Sequence, residues 1–355
     1  MKIVGLLTAW ASEDWIQYSI EQALELVDEL IISIGPYNEY YKKIKDKTLI
    51  LAKKYENYKN VKIMGSVCKT NNTRKKNRCE TLNEMLKLSE NIEEGNLIWI
   101  LDCDEFYSEE AKEEIFNFIE ENEDFEGIKF ADRFFCLNFD YYIPALHYRI
   151  KKIKSKNPYF TPTQKLNPRP KKISILLKDN PMFHYSMLVG EPLRVILWLL
   201  DDEYDRCLWY KKIYQKYNPQ NEEFYWKKNK KITGNYGFWH TQENVRGQSI
   251  KGILKYNGKH PKLIENSHLK KITDFTAYYR KKENYKAYLK VMKKIINEKK
   301  TFNLKVLIKE IKASKVWNNC FRKIKNVLKR NNHIQSLFQI INRRIFPARK
   351  SNPEL

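Results

Sequence analysis

The chain has no cysteine pair at metal-binding or redox spacing. Its six cysteines, Cys68, Cys79, Cys103, Cys136, Cys207 and Cys320, stand singly; this excludes a zinc ribbon and a dense disulfide framework, and fits reduced thiols in the cytoplasm. A G-x-x-x-x-G-K-[ST] phosphate loop is also missing. Without it, Ile98–Glu105 (IWILDCDE) does not make a P-loop nucleotidase, although its strand and acids resemble a Walker B segment. No apolar run approaches the roughly 18 residues that span a bilayer, and the best, Val195–Leu200, is six long. Met1–Ala11 carries a single Lys and an apolar run at the short limit for a signal peptide, so no cleaved leader is expected. Acids are scarce at one end: residues 270–355 hold 24 Lys+Arg against 5 Asp+Glu, while the other 269 residues hold 42 against 38. The net charge of +23 therefore belongs to the C-terminal quarter.

What is present suffices for a core, with 42% hydrophobic and 14% aromatic residues. At 355 residues, a main domain plus an appendage is expected. Lys2–Ala9 (KIVGLLTA) reads as a strand, followed by a polar turn and a helix over 15–26 with apolar residues at helical spacing. Glu29–Ile34 is a second buried strand, ended by Gly35-Pro36. A helix over 41–55 and a strand Val61–Met64 follow. The basic segment Lys69–Arg78 then runs into a helix expected over 79–88. Asn96–Leu101 is a buried strand breaking into Asp102, Asp104 and Glu105. Alternation along a continuing strand would put Asp102 and Asp104 on one face and Cys103 and Glu105 on the other. The order β-α-β-α-β-α-β implies a doubly wound, mostly parallel sheet whose site lies at the carboxyl ends of the strands.

Taken alone, a D-x-D at a strand end is an ordinary solvated turn. The ordered set is more specific: a short first strand, a polar turn containing an acid, VDELIISIG, a basic Arg/Asn segment before a helix, then W-I-L-D-C-D-E-F. Over residues 2–200 it resembles the glycosyltransferase family 2 group of the GT-A fold, and is similar to lipopolysaccharide-core glucosyltransferase-like members, whose central motif reads D-A-D-E. The first turn, A-W-A-S-E-D, departs from the R-N-E of many relatives.

The resemblance implies an α/β, GT-A-type doubly wound mixed sheet with an α-helical basic C-terminal extension. It divides into a catalytic domain over 1–200 (nucleotide-sugar binding in 1–107, acceptor side in 108–200), an aromatic-rich acceptor-side extension over 201–269 and a basic helical region over 270–355. It implies a metal-dependent inverting transferase moving a sugar from a nucleotide-diphosphate donor to a saccharide or lipid-linked acceptor, in cell-surface glycan synthesis. The donor would meet Thr8, Trp10, Glu13 or its neighbour Asp14, Arg74, Asn77, Arg78 and Asp102. A divalent ion, Mg2+ or Mn2+, would be held by Asp104 and Asp102, with His184 completing its shell; a late histidine does so in several such enzymes. Asp132 and Arg133 would face the acceptor. A metal and a guanidinium beside a departing diphosphate stabilise the charge it gathers.

An inverting transfer needs a carboxylate to take the acceptor's proton, and Asp132, Asp179 and Glu191 are the candidates. His147, read as a loop residue, and His240 in G-F-W-H rival His184. Ser108 is read as the N-cap of an acidic helix to Glu121, Gly127–Asn138 as a strand, and Lys151–Lys172 as a basic loop over the site. Residues 312–346 carry basic amphipathic stripes that suit an anionic membrane surface, so a cytoplasmic protein peripheral to the inner face of the membrane is expected. No nucleic-acid recognition motif accompanies the charge, and no nucleic-acid partner is expected. The alternative is a non-catalytic membrane-surface or nucleic-acid-binding protein built on a GT-A-like domain.

Overall fold

A computed structural model describes residues 1–37, 46–70, 72–161, 165–188, 254–282 and 285–287 together with Lys290. The first half alternates as read: β1 (Ile3–Ala9), α1 (Ile16–Leu26), β2 (Glu29–Ile34), α2 (Thr48–Ala52), β3 (Val61–Gly65), α3 (Arg74–Leu88) and β4 (Leu97–Asp102). The second half is strand-rich: β5 (Glu105–Phe106), α4 (Glu109–Glu121), β6 (Gly127–Phe135), β7 (Tyr141–Lys152), β8 (Tyr159–Phe160), β9 (Leu166–Asn167), β10 (Ile173–Leu176), β11 (Met182–His184) and β12 (Leu254–Lys255). Two short helices, α5 (Lys262–Glu265) and α6 (Phe275–Arg280), follow.

β1 pairs in parallel with both β2 and β4, and β2 with β3. The sheet then changes sense, because β7 is antiparallel to β4 and to β6. Its path runs β3-β2-β1-β4-β7-β6-β11-β5. β5 follows β4 after only two residues, yet stands at the far end of that path, so the sheet curls until the end of β4 faces β11. The result is a mixed α/β fold with a curled sheet of parallel and antiparallel strands, more antiparallel than the alternation implied.

The strand residues divide between two cores by parity, as the pleat requires. Ile3, Leu7, Leu97, Trp99 and Leu101 face α1 and α4, whose apolar stripes include Ile16, Ile20, Ala23, Ile115 and Ile119. Val4, Leu6, Ile98 and Ile100 face α3 through Cys79, Leu82, Met85 and Leu86. Each of the large β4 side chains, all buried, contributes roughly 1.5–3 kcal/mol. The parity matters for the site: Thr8 and Asp102 continue the α3-facing rows of β1 and β4, and are register partners.

Three local readings change. α3 starts at Arg74, five residues early, because the Thr73 hydroxyl accepts from Lys76 N at 3.2 Å and caps the helix. Lys151–Lys172 is not a plain loop: it ends β7 and forms the β8–β9 hairpin, with Phe160 and Leu166 buried against α3. Of the helix expected over 41–55, the described part is α2 and a 3-10 turn, Lys53–Tyr55; residues 38–45 lie outside the described residues. Ser108 does cap α4, accepting from Ala111 N at 3.2 Å.

A third, aromatic core joins Trp15, Phe106, Phe135, Phe139, Phe183, Tyr185, Ile264, Leu269 and Phe275. It seats 254–282 against the turn after β1. Residues 189–253, and all of those after 290, including the basic stripes over 312–346, lie outside the described residues.

Candidate functional site

The site forms where β1 and β4 end. Thr8 Oγ1 donates to Asp102 Oδ1 at 3.2 Å. Arg78, on the face of α3 that lies over this end of the sheet, donates from Nη2 to the same oxygen at 2.6 Å. From β7, Arg149 Nη2 reaches Asp102 Oδ2 at 3.1 Å and also bonds Glu105. Burial alone would raise the Asp102 pKa, but Arg78 and then Arg149 outweigh it and hold the carboxyl well below the usual range. Both carboxylate oxygens thus face cationic donors, Arg78 on one and Arg149 on the other. The Nε atoms of Arg78 and Arg149 are buried and find no hydrogen-bond partner among the described residues. Two fixed cations with unspent donors, at the carboxyl end of parallel strands, suit an anionic ligand.

Alternation does not carry past Asp102. The chain turns at Cys103-Asp104 before β5 begins, so Glu105 is not averted from Asp102 but shares Arg149 with it. Cys103 is the residue turned away, its thiol donating to Ser12 Oγ at 2.8 Å. Asp104 faces β11: its carbonyl accepts from Tyr185 N at 2.8 Å, and its Oδ1 lies 3.5 Å from His184 Nε2.

On the other side of the His184 ring, Nδ1 lies 3.5 Å from Asp132 Oδ2 and 3.6 Å from Glu105 Oε1. The same Asp132 oxygen is bonded to His147 Nδ1. Three strands deliver these groups, Asp132 from β6, His147 from β7 and His184 from β11. One ligand atom from each falls within 4.8 Å of the others, a group that could hold a metal ion. Asp132 Oδ1 and His184 Nδ1 are buried with no hydrogen-bond partner among the described residues. Burial would raise the Asp132 pKa, but His147 and His184 lower it to about 2. Burial lowers that of His184, and the neighbouring Asp104 and Asp132 carboxylates more than restore it.

The remaining expected residues scatter. Trp10 is half-buried in the turn after β1, and Arg74 half-buried at the start of α3. Glu13 and Asp14 are tied to Lys282, at 2.8 Å and 2.6 Å, and Asp14 also accepts from Tyr278 at 2.8 Å. Asn77 is fully buried, and its amide is spent within the protein: Nδ2 donates to Tyr37 O and Lys69 O, while Oδ1 accepts from Lys69 N and Asn72. It builds the loop before α3 and has no donor left for a ligand. Asp132, a candidate base, is 2% exposed and faces His147 and His184. Asp179 is exposed between β10 and β11; Glu191 and His240 lie outside the described residues. Arg133 points to the opposite face of β6 from Asp132, its guanidinium 4.8 Å from the Tyr256 ring and 5.2 Å from that of Phe183.

Arg149 is not among the residues the sequence singles out, and His147, read as a loop residue, lies on β7. The signal was legible in Leu146–Lys151 (LHYRIK), where polar His147, Arg149 and Lys151 recur every second residue in an otherwise apolar run. Pro144 and the tyrosines before it obscure that period.

No family model matches this chain, and no curated protein matches it. Among solved structures the chain is similar to 2-C-methyl-D-erythritol 4-phosphate cytidylyltransferase from Francisella tularensis, at a TM-score of 0.26 and 9% identity, over 43% of this chain and 73% of that one. So distant an overlap fixes neither family nor activity.

Proposed function

We propose that the chain is a glycosyltransferase that takes a sugar from a nucleotide-diphosphate donor, with a divalent ion, and passes it to a saccharide or lipid-linked acceptor. The observation that carries this reading is the convergence of Arg78 and Arg149 on Asp102 beside Asp104 and the histidines. Thr8 and Asp102 end adjacent parallel strands, where a nucleotide's ribose would meet an acceptor-only carboxylate. Arg78 and Arg149, with Nε donors unspent, would take up charge on the leaving diphosphate. A bound divalent ion supplies Lewis-acid neutralisation of the same leaving group. The orphaned polar atoms Asp132 Oδ1 and His184 Nδ1 fit such an ion.

The test is a panel of nucleotide sugars scored for hydrolysis with and without Mn2+, using wild type and Arg78→Ala. Metal-dependent hydrolysis of one donor class, lost in the variant, supports the reading. No hydrolysis of any donor, or equal rates in both proteins, contradicts it.

A further inference from the structure

We propose that Asp132, His147 and His184 form a transition-metal site, with Asp104 holding the His184 ring from its far side. The assignment rests on the functional reading for the ion's role in sugar transfer, but not for its existence, which is a property of these side chains alone. It moves the ion away from the D-C-D motif, where the first acid is already paired with two guanidiniums.

Several observations converge on this group. Its donors come from β6, β7 and β11, three hydrogen-bonded strands, so their spacing is set by the sheet. The ligand atoms lie within 4.8 Å of one another. His184 Nδ1, which faces Asp132 Oδ2 at 3.5 Å, is buried with no close hydrogen-bond partner among the described residues, and so is the other Asp132 oxygen, Oδ1; orphaned polar atoms of that kind call for a ligand. The His184 ring carries the arrangement usual for a metal-bound imidazole: one nitrogen turned to the other ligands, the other, Nε2, turned to a carboxylate, here Asp104 at 3.5 Å. Phe134 closes the site from one side, its ring edge-on to His184 with centroids 4.5 Å apart. Three protein ligands leave coordination positions for an oxygen of the substrate.

The chemistry of the donors selects the ion. Two imidazoles and one carboxylate favour Mn2+, Fe2+, Co2+ or Zn2+, whereas Mg2+ prefers carboxylates, phosphates and water. Of the two ions expected from the sequence, Mn2+ fits and Mg2+ does not.

Chelator-stripped full-length protein titrated with Co2+ alone tests this, read by the visible absorption of bound Co2+, by calorimetry, and by metal analysis after gel filtration. One ion per chain is expected, resistant to a large excess of Mg2+. Asp132→Asn and His147→Gln should abolish or strongly weaken binding. Asp104→Asn should weaken it by about 10–100-fold, as loss of an orienting carboxylate does, and Asp102→Asn should leave it unchanged. Circular dichroism and a cooperative melt establish that each variant is folded, and His147→Ala replaces any that is not. No Co2+ binding, displacement by Mg2+, or binding lost in Asp104→Asn but intact in His147→Gln and His147→Ala would overturn the proposal. Donor hydrolysis is scored separately: a protein that binds Co2+ through His147 but hydrolyses no donor contradicts the transferase reading and leaves the metal site standing.

Discussion

Arg149 Nη2 lies 3.1 Å from Asp102 Oδ2 and is bonded as well to Glu105, so one guanidinium ties the end of β4 to the start of β5. Glu105 is 1% exposed, and a buried carboxylate that loses its cation is costly. Arg149→Met should destabilise the protein by about 3–5 kcal/mol in urea titration, and adding Glu105→Leu should recover most of the loss. A single variant as stable as wild type would show that the pair does not support the fold.

Lys151 gives a pH-dependent prediction of defined sign. Its ammonium lies under the rings of Tyr148 and Phe160, at 4.7 Å and 5.4 Å from their centres. Burial first, then the charges of Arg149 and Arg78, push its pKa from 10.5 down to about 7. Between those values the unfolded chain binds a proton that the native protein does not, so its contribution to stability rises with pH through that window. It is fully present above 10.5 and lost as pH falls through about 7. Lys151→Met should therefore raise the melting temperature at pH 7, with the gain shrinking as pH approaches 10.5. A gain independent of pH would contradict the assignment.

Asn77 separates architecture from chemistry. Its amide satisfies Lys69, Asn72 and Tyr37 in a fully buried position. Asn77→Ala orphans those groups and should cost about 1–3 kcal/mol in denaturant unfolding. Arg78→Ala should act on the chemistry, lowering donor kcat/KM by about 10²–10³-fold, the scale of losing one preorganised charge-stabilising donor, with Arg149 still pairing Asp102.

The elements carried by strict hydrophobic period were legible: Glu29–Ile34 is β2 to the residue, Ile3–Ala9 differs from the reading by one position at its start, and Leu97–Asp102 is shifted from it by one position at each end. Arg78 could be placed near Asp102 because the helix and strand that hold them are local in sequence. The rest depended on long-range pairing. That β5 returns beside β11, bringing His184 opposite Glu105, follows from the curl of the whole sheet. No spacing in Cys103–Phe106 announces the two-residue break that rotates Glu105 towards Asp102. The basic run Arg74–Arg78 suggested a loop by its charge, yet one threonine cap made it helix.

The most direct test of the account is the melting temperature with Mn2+, with UDP or GDP, and with both together. A ligand that binds only the native protein raises its stability by mass action. In wild type, metal and nucleotide together should raise the midpoint by more than the sum of their separate effects, because the diphosphate meets the ion and the two guanidiniums at once. In Arg78→Ala that excess should vanish. Additive or absent shifts in wild type, or an equal excess in the variant, would contradict a metal-assisted diphosphate site beside Arg78 and Arg149.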